Sequence, residues 1–224
     1  MNTYFDIHSH HVGKLPASRT IVNVNSDFNR LPDYEFLSVG LHPWHLQAST
    51  AEAAFHNLKT AVQQTNIIAI GECGLDKACE TDFELQSHYF NLQLDLAVET
   101  GKPLIIHCVR AFEETLQLLN QRINGKVPVI FHGFTKNQST ADRILSCGYY
   151  LSFGKHLADE KTTAVFLQCP INRIFLETDN SQLPISTIYQ LAAEAKGISI
   201  DLLYREILNN VQRVFGDRIF TAHE

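Results

Sequence analysis

Eight short apolar runs punctuate the chain, and nearly all close on a polar residue: YFDIHSH (4–10), TIVNVN (20–25), FLSVGLHP (36–43), NIIAIGECG (66–74), PLIIHCV (103–109), VPVIFHGF (127–134), YYLSFG (149–154) and RIFLETD (173–179). Short continuous runs rich in Ile, Val and Phe predict strands buried on both faces, as in a parallel sheet. Between the later runs the apolar positions change to helical spacing. Residues 83–100 set Phe83, Phe90, Leu94, Ala97 and Val98 on one side, and residues 111–122, 137–147, 156–168 and 184–196 follow the same scheme. A last helix over 201–215 aligns Leu202, Leu203, Ile207, Val211 and Val214, and Gly216 stops it.

Strands that alternate with helices predict an α/β fold, a TIM-type (β/α)8 barrel, with an open doubly wound sheet as the rival. The first two connections are irregular. "HVGKLPASR" and "SDFNRLPDYE" contain prolines and no helical stripe, and a helical crossover needs at least ~10–12 residues. The helices between strands 1 and 2 and between strands 2 and 3 are therefore expected to be shortened or missing. No linker, low-complexity tract or repeat interrupts the pattern, so residues 1–224 are expected to form a single domain.

Composition narrows the class. The chain is 45% hydrophobic and 19% charged, which points away from disorder. No run of about 18 apolar residues is present, and the start MNTYFD lacks the basic and apolar regions of a signal peptide. The expectation is a cytoplasmic protein with no membrane association. Five cysteines, odd in number and with no C-x-x-C pair, suit reduced thiols. The net charge of −6 argues against a broad basic surface for nucleic acid. It leaves room for a phosphate-containing substrate whose charge is met locally by divalent cations.

The candidate chemistry lies at the strand ends. His8 and His10 form a His-x-His pair that a strand projects to one side. Glu72 closes the fourth run, His107 lies near the end of the fifth, His132 follows the sixth and Asp179 ends the eighth. Singly, each has a bland explanation: a surface histidine, a buried imidazole bonded to a carbonyl, a carboxylate that caps the next helix. Together, four imidazoles and two carboxylates from five strand ends, with no Lys or Arg among them, make a mixed nitrogen and oxygen donor set. That set suits Zn, Mn, Mg, Fe or Ni, and six donors exceed one tetrahedral site, so two divalent ions sharing a carboxylate are expected.

The stretches "DIHSH", "VGLHPW", "IGECGLD", "PLIIHCVRAFEE", "FHGF", "YLSFG" and "FLETD" resemble, in order and spacing, the TatD family of metal-dependent hydrolases. The helix bearing Gln86, Phe90, Gln93, Leu94, Leu96 and Ala97, and the ending "NNVQRVFG", are similar to further family elements. The resemblance implies that His8, His10, Glu72 and Asp179 hold one metal ion, and that Glu72 bridges to a second ion held by His107 and His132. It also implies hydrolysis of phosphodiester bonds, with DNA as substrate and exonuclease-type cleavage by a metal-activated water. The chain departs from the family where His11 and Val12 follow the second histidine, where Asn180 follows Asp179, and in the shortened segments after the first two strands.

Asp179 is the expected general base, with Glu72 the second catalytic carboxylate. Arg110, three residues beyond His107, and His42 in "GLHPWH" are the expected substrate-binding residues, the arginine as a bidentate phosphate ligand. Trp44 offers either a stacking face for a base or a core residue, while Cys73, Cys108 and Cys147 are expected to pack near the barrel. An amide or lactone hydrolase of the wider amidohydrolase type and a metal-binding protein without turnover are the alternatives. No obligate protein partner is expected.

Overall fold

A computed structural model of the chain describes residues 4–11 and 18–219. Its strands are β1 (Tyr4–Ser9), β2 (Ser18–Val24), β3 (Phe36–Val39), β4 (Ile67–Asp76), β5 (Leu104–Val109), β6 (Val129–Phe131), β7 (Tyr150–Phe153) and β8 (Ile174–Leu176). Its α-helices are α1 (Ala51–Ala61), α2 (Phe83–Thr100), α3 (Phe112–Arg122), α4 (Gln138–Ser146), α5 (Glu160–Gln168), α6 (Ile185–Lys196) and α7 (Ile200–Phe215). The strands form one eight-stranded sheet in the order β1 to β8, and a parallel bridge joins Ser9 to Asp179 just past β8. Sequential parallel order with closure of the last strand segment on the first defines the (β/α)8 barrel class. All eight apolar runs became strands.

The chain divides into two compact units, residues 1–22 with 132–224, and residues 23–131. In the first, β1 is buried from Phe5 onward, and Phe5, Phe175 and Phe215 meet with ring centroids 6.2–6.4 Å apart. Each such ring removed from water contributes about 1.5–3 kcal/mol. Tyr189 of α6 is wholly buried and donates its hydroxyl proton to the carbonyl of Phe5 at 3.0 Å. Ser199 caps α7 by accepting from the Leu202 amide.

In the second unit all ten residues of β4 are buried, which explains why its sequence shows no polar alternation over IIAI. Leu37, Leu58, Ile67 and Leu94 are fully enclosed there. Asp82 caps α2 by accepting from the Leu85 amide.

No helix forms over residues 25–35, between β2 and β3. The connection between β1 and β2 runs through residues 12–17, which lie outside the described residues. One helix escaped the pattern reading. In α1 only Ala51, Leu58 and Ala61 are buried, so its apolar stripe is thin, and alanine carries little periodic signal.

Candidate functional site

The polar clusters of the two units are best built from the backbone outward. In the first unit, the amide of Asp179 donates to the carbonyl of His8 at 2.9 Å and the amide of His10 donates to the carbonyl of Asp179 at 3.1 Å. This reciprocal pair fixes the carboxylate against both histidines of "HSH". His10 Nε2 lies 3.5 Å from Asp179 Oδ1, and His8 Nε2 lies 3.8 Å from the same oxygen. The His132 ring centroid is 4.5 Å from that of His8, so His8, His132 and Asp179 offer donors that all lie within 4.8 Å of one another. His8 is wholly buried, while Asp179 is about one-third exposed. Asp179 adopts φ of 51°, a left-handed conformation that Asp tolerates better than most residues.

Two buried carboxylates support this cluster, and neither was singled out from the sequence. Glu177 accepts from the Gly133 amide at 2.6 Å and faces His132 Nδ1 at 3.6 Å. Burial opposes its ionisation, but His132, and more weakly His8 and Ser152, hold its carboxyl below the usual range. Asp6 accepts from the Thr178 amide at 3.0 Å and from the Thr178 hydroxyl at 2.6 Å. Burial nevertheless pushes its carboxyl up to about 7.

In the second unit the centre is Glu72. Its carboxylate oxygen Oε1 lies 2.8 Å from His107 Nδ1 and 3.0 Å from His42 Nε2. His107 Nε2 in turn lies 3.0 Å from Asp76 Oδ2, and the same oxygen accepts the Trp44 indole N–H at 2.6 Å. The Trp44 backbone amide donates to His42 Nδ1 at 3.1 Å. In the neutral imidazole the proton then sits on Nε2 and is donated to Glu72. Burial keeps His42 below its ordinary pKa against the pull of Glu72, so the neutral ring is the form present near pH 7. Burial alone raises Asp76, but the hydrogen bonds from Trp44 and His107 bring its carboxyl below the usual range.

The helical glutamines explain how these groups are aimed. Gln93 accepts from the Leu41 amide at 2.7 Å and donates back to its carbonyl, gripping the backbone beside His42. Gln86 does the same to Asp76, accepting from its amide at 2.8 Å and donating to its carbonyl at 3.0 Å. Asn23 accepts from the Glu72 amide at 2.7 Å. Glycine is required where these backbones close together. A Cβ on Gly40 would stand 2.7 Å from the Glu72 carbonyl oxygen, and one on Gly74, at φ of 148°, would stand 1.9 Å from that of His107.

Within its own unit each cluster therefore gathers the sequence-selected residues: His8, His10, His132 and Asp179 in one, His42, Glu72 and His107 in the other. Arg110 is exposed just past β5, with φ of 53°. His42 is 4% exposed and both its ring nitrogens are engaged, so it meets a cavity only as wall. Trp44 is not a core residue but 60% exposed, with its indole N–H donated to the buried Asp76. Cys147 does not pack inside, since it follows the short helix α4 at the surface, and Cys108 is half-buried; Cys73 is buried as expected, and none of the five cysteines forms a disulfide. The residues missed (Asp6, Asp76, Glu177) share one signal. Each stands at an alternate position from a selected residue, as in Asp6-x-His8, Glu72-x-Gly74-x-Asp76 and Glu177-x-Asp179.

The donor chemistry fits a divalent ion. Nitrogen and oxygen ligands sit about 2.0–2.2 Å from zinc, so neighbours on one ion stand roughly 3–3.5 Å apart. Separations of 3.5 and 3.8 Å in the first cluster and 2.8 Å in the second lie near that spacing. Histidine and carboxylate clusters carried at the strand ends of a (β/α)8 barrel define a metal-dependent hydrolase class.

Comparison with known proteins narrows the class. The model of the family described as TatD related DNase matches residues 12–216. The "3'-5' ssDNA/RNA exonuclease TatD" of Pantoea ananatis is 26% identical over 206 residues, 82% of this chain and 79% of that protein. Its counterpart in Erwinia tasmaniensis is 31% identical over 153 residues, 66% of this chain and 59% of that protein. Among solved structures, the TatD homologue YJJV of Escherichia coli K12 superposes with a TM-score of 0.83 at 21% identity, covering 95% of this chain and 98% of that one. A TatD family hydrolase of Entamoeba histolytica gives 0.79 at 17% identity, covering 96% and 98%. The chain belongs to the TatD-related DNase family and is a metal-dependent hydrolase of the TatD type. No helix among the described residues is long and apolar enough to cross a membrane.

Proposed function

We propose that the protein is a nuclease that cleaves phosphodiester bonds in DNA in the manner of an exonuclease, using two divalent cations. The observation that carries the reading is the pair of histidine–carboxylate clusters whose donor spacing suits such ions. The proposed ligands are those read from the sequence: His8, His10, Glu72, His107, His132 and Asp179. Bound there, the ions supply Lewis acidity and lower the pKa of water toward neutrality.

The chain's own groups do the remaining work. Asp179, partly exposed beside His10, accepts the proton of the attacking water and passes it to the leaving oxygen. Arg110, exposed past β5, pairs with phosphate oxygens through its two-pronged guanidinium. His42 holds Glu72 in orientation through Nε2–H. The net charge of −6 is compatible with this chemistry, because the cations supply the positive field at the phosphate. Relatives named as 3'-5' ssDNA/RNA exonucleases support single-stranded nucleic acid as the substrate class.

The test is elemental analysis of the purified protein paired with hydrolysis of an end-labelled single-stranded oligonucleotide, beside a panel of amides and lactones. About two bound divalent ions and stepwise shortening of the oligonucleotide, abolished by a chelator and restored by Mn²⁺ or Mg²⁺, are expected. Turnover of the amide or lactone panel with an intact oligonucleotide would overturn the reading.

A further inference from the structure

The missing helix between β2 and β3 has a counterpart in the second unit: an open cavity of about 190 Å³ between residues 25–29, the turn at Pro43–His45 and helix α1. We propose that this cavity is a nucleobase-binding pocket, a subsite that rests on the nuclease reading given above. Its size lies below the ~300–1,000 Å³ of drug-sized sites, which leaves room for one ring system and not for a whole nucleotide.

The lining selects for a flat, neutral group with a polar edge. Phe28, Leu41 and Leu46 are buried and give apolar contact. Ala51, Ala54 and Asn57 follow one another at three-residue spacing, so α1 turns its smallest side chains and one carboxamide toward the space. Asn25 and Asn29 add two further carboxamides. None of these three side chains is hydrogen-bonded to another described residue. Carboxamides present a donor and an acceptor side by side, the arrangement that pairs with the edge of a base. No Lys or Arg lines the cavity and Asp27 adds a negative charge, so a phosphate is disfavoured there.

The pocket is also placed to matter for the reaction. His42 forms part of its wall and the same ring touches Glu72 at 3.0 Å. A base seated here rests against the histidine that orients a proposed metal ligand.

The test uses the full chain and follows backbone amide signals by two-dimensional NMR during titration with millimolar deoxyadenosine, with deoxyribose 5-phosphate as the control lacking a base. Saturable shifts at Ala51, Ala54 and Asn57 are expected with deoxyadenosine and not with the sugar phosphate. Ala54→Trp fills the cavity and should abolish the shifts at Ala51 and Asn57. Should that variant misfold, the pair Asn25→Ala and Asn57→Ala removes two carboxamides and should weaken binding about ten-fold. Absence of shifts in the wild-type chain, equal shifts with deoxyribose 5-phosphate, or unchanged affinity in the folded variants would overturn the proposal. Oligonucleotide hydrolysis on the same preparation separates the two ideas. Hydrolysis without base binding ends only the pocket, and base binding without hydrolysis ends only the nuclease reading.

Discussion

His42 donates from Nε2 to Glu72 at 3.0 Å while its Nδ1 accepts the backbone amide of Trp44. The imidazole is thereby locked in one tautomer and spends its proton on orienting the carboxylate. Groups that hold a metal ligand by a hydrogen bond typically account for about 10–100-fold in metal affinity or activity. His42→Ala should therefore weaken divalent-ion binding by a factor in that range, and His42→Gln, which keeps a donor, should recover part of the loss. Titration of the metal-free protein with Zn²⁺ or Mn²⁺ reads both variants. Equal affinity in all three proteins would remove the orienting role.

Asp179 is held from both sides by backbone bonds to His8 and His10, so replacing its side chain leaves the local fold in place. Asp179→Asn should lower hydrolysis by about 10²–10⁴-fold, the range for loss of a general base. Elemental analysis should still find most of the metal. Turnover near the wild-type level would exclude Asp179 as the base.

Asp6 carries a pH signature. Its folded pKa of about 7 lies above the ordinary 3.8, so the folded state holds a proton that the unfolded chain has released. The stabilisation is complete below about pH 4, falls as the pH rises, and is gone above pH 7; the full span is on the order of 4 kcal/mol. Urea midpoints of wild type and Asp6→Asn, compared from pH 5 to pH 8, check this. The difference between the two proteins should shift in favour of the asparagine variant as the pH rises, and a constant difference would refute it.

Asn210 anchors the closing helix. Fully buried, it donates to the carbonyls of Ile171 and Ile174, both at 2.9 Å, and accepts from Arg213. Asn210→Ala removes the hydrogen bonds to one buried and one half-buried carbonyl and should cost about 1–3 kcal/mol in a denaturant melt. Loss below 1 kcal/mol would mean that water replaces the carboxamide.

Much of this arrangement is legible in the sequence. The eight strands were legible because a strand enclosed on both faces carries a continuous apolar run, as β4 does over Ile67–Ile70. The absent helix over residues 25–35 was legible from proline and a missing stripe. Helix α1 was not, because alanines and exposed polar residues fill most of its surface. His8, His10, Glu72, His107, His132 and Asp179 stood out as polar residues where apolar runs end. Asp76 and Glu177 did not, although each sits at alternate spacing from a chosen residue, because a lone carboxylate in sequence looks the same whether it is solvated or buried.

The sequence by itself determined which side chains the strands carry at their ends, since apolar periodicity and chain order set that locally. Tertiary structure alone decided what those side chains touch: that His42 serves Glu72 instead of solvent, that Trp44 hangs outward on Asp76, and that a cavity opens beside α1. Such pairings join residues far apart in the chain. They depend on how closely backbones approach, as where a Cβ on Gly40 would stand 2.7 Å from the Glu72 carbonyl oxygen, and no local pattern encodes a distance across space.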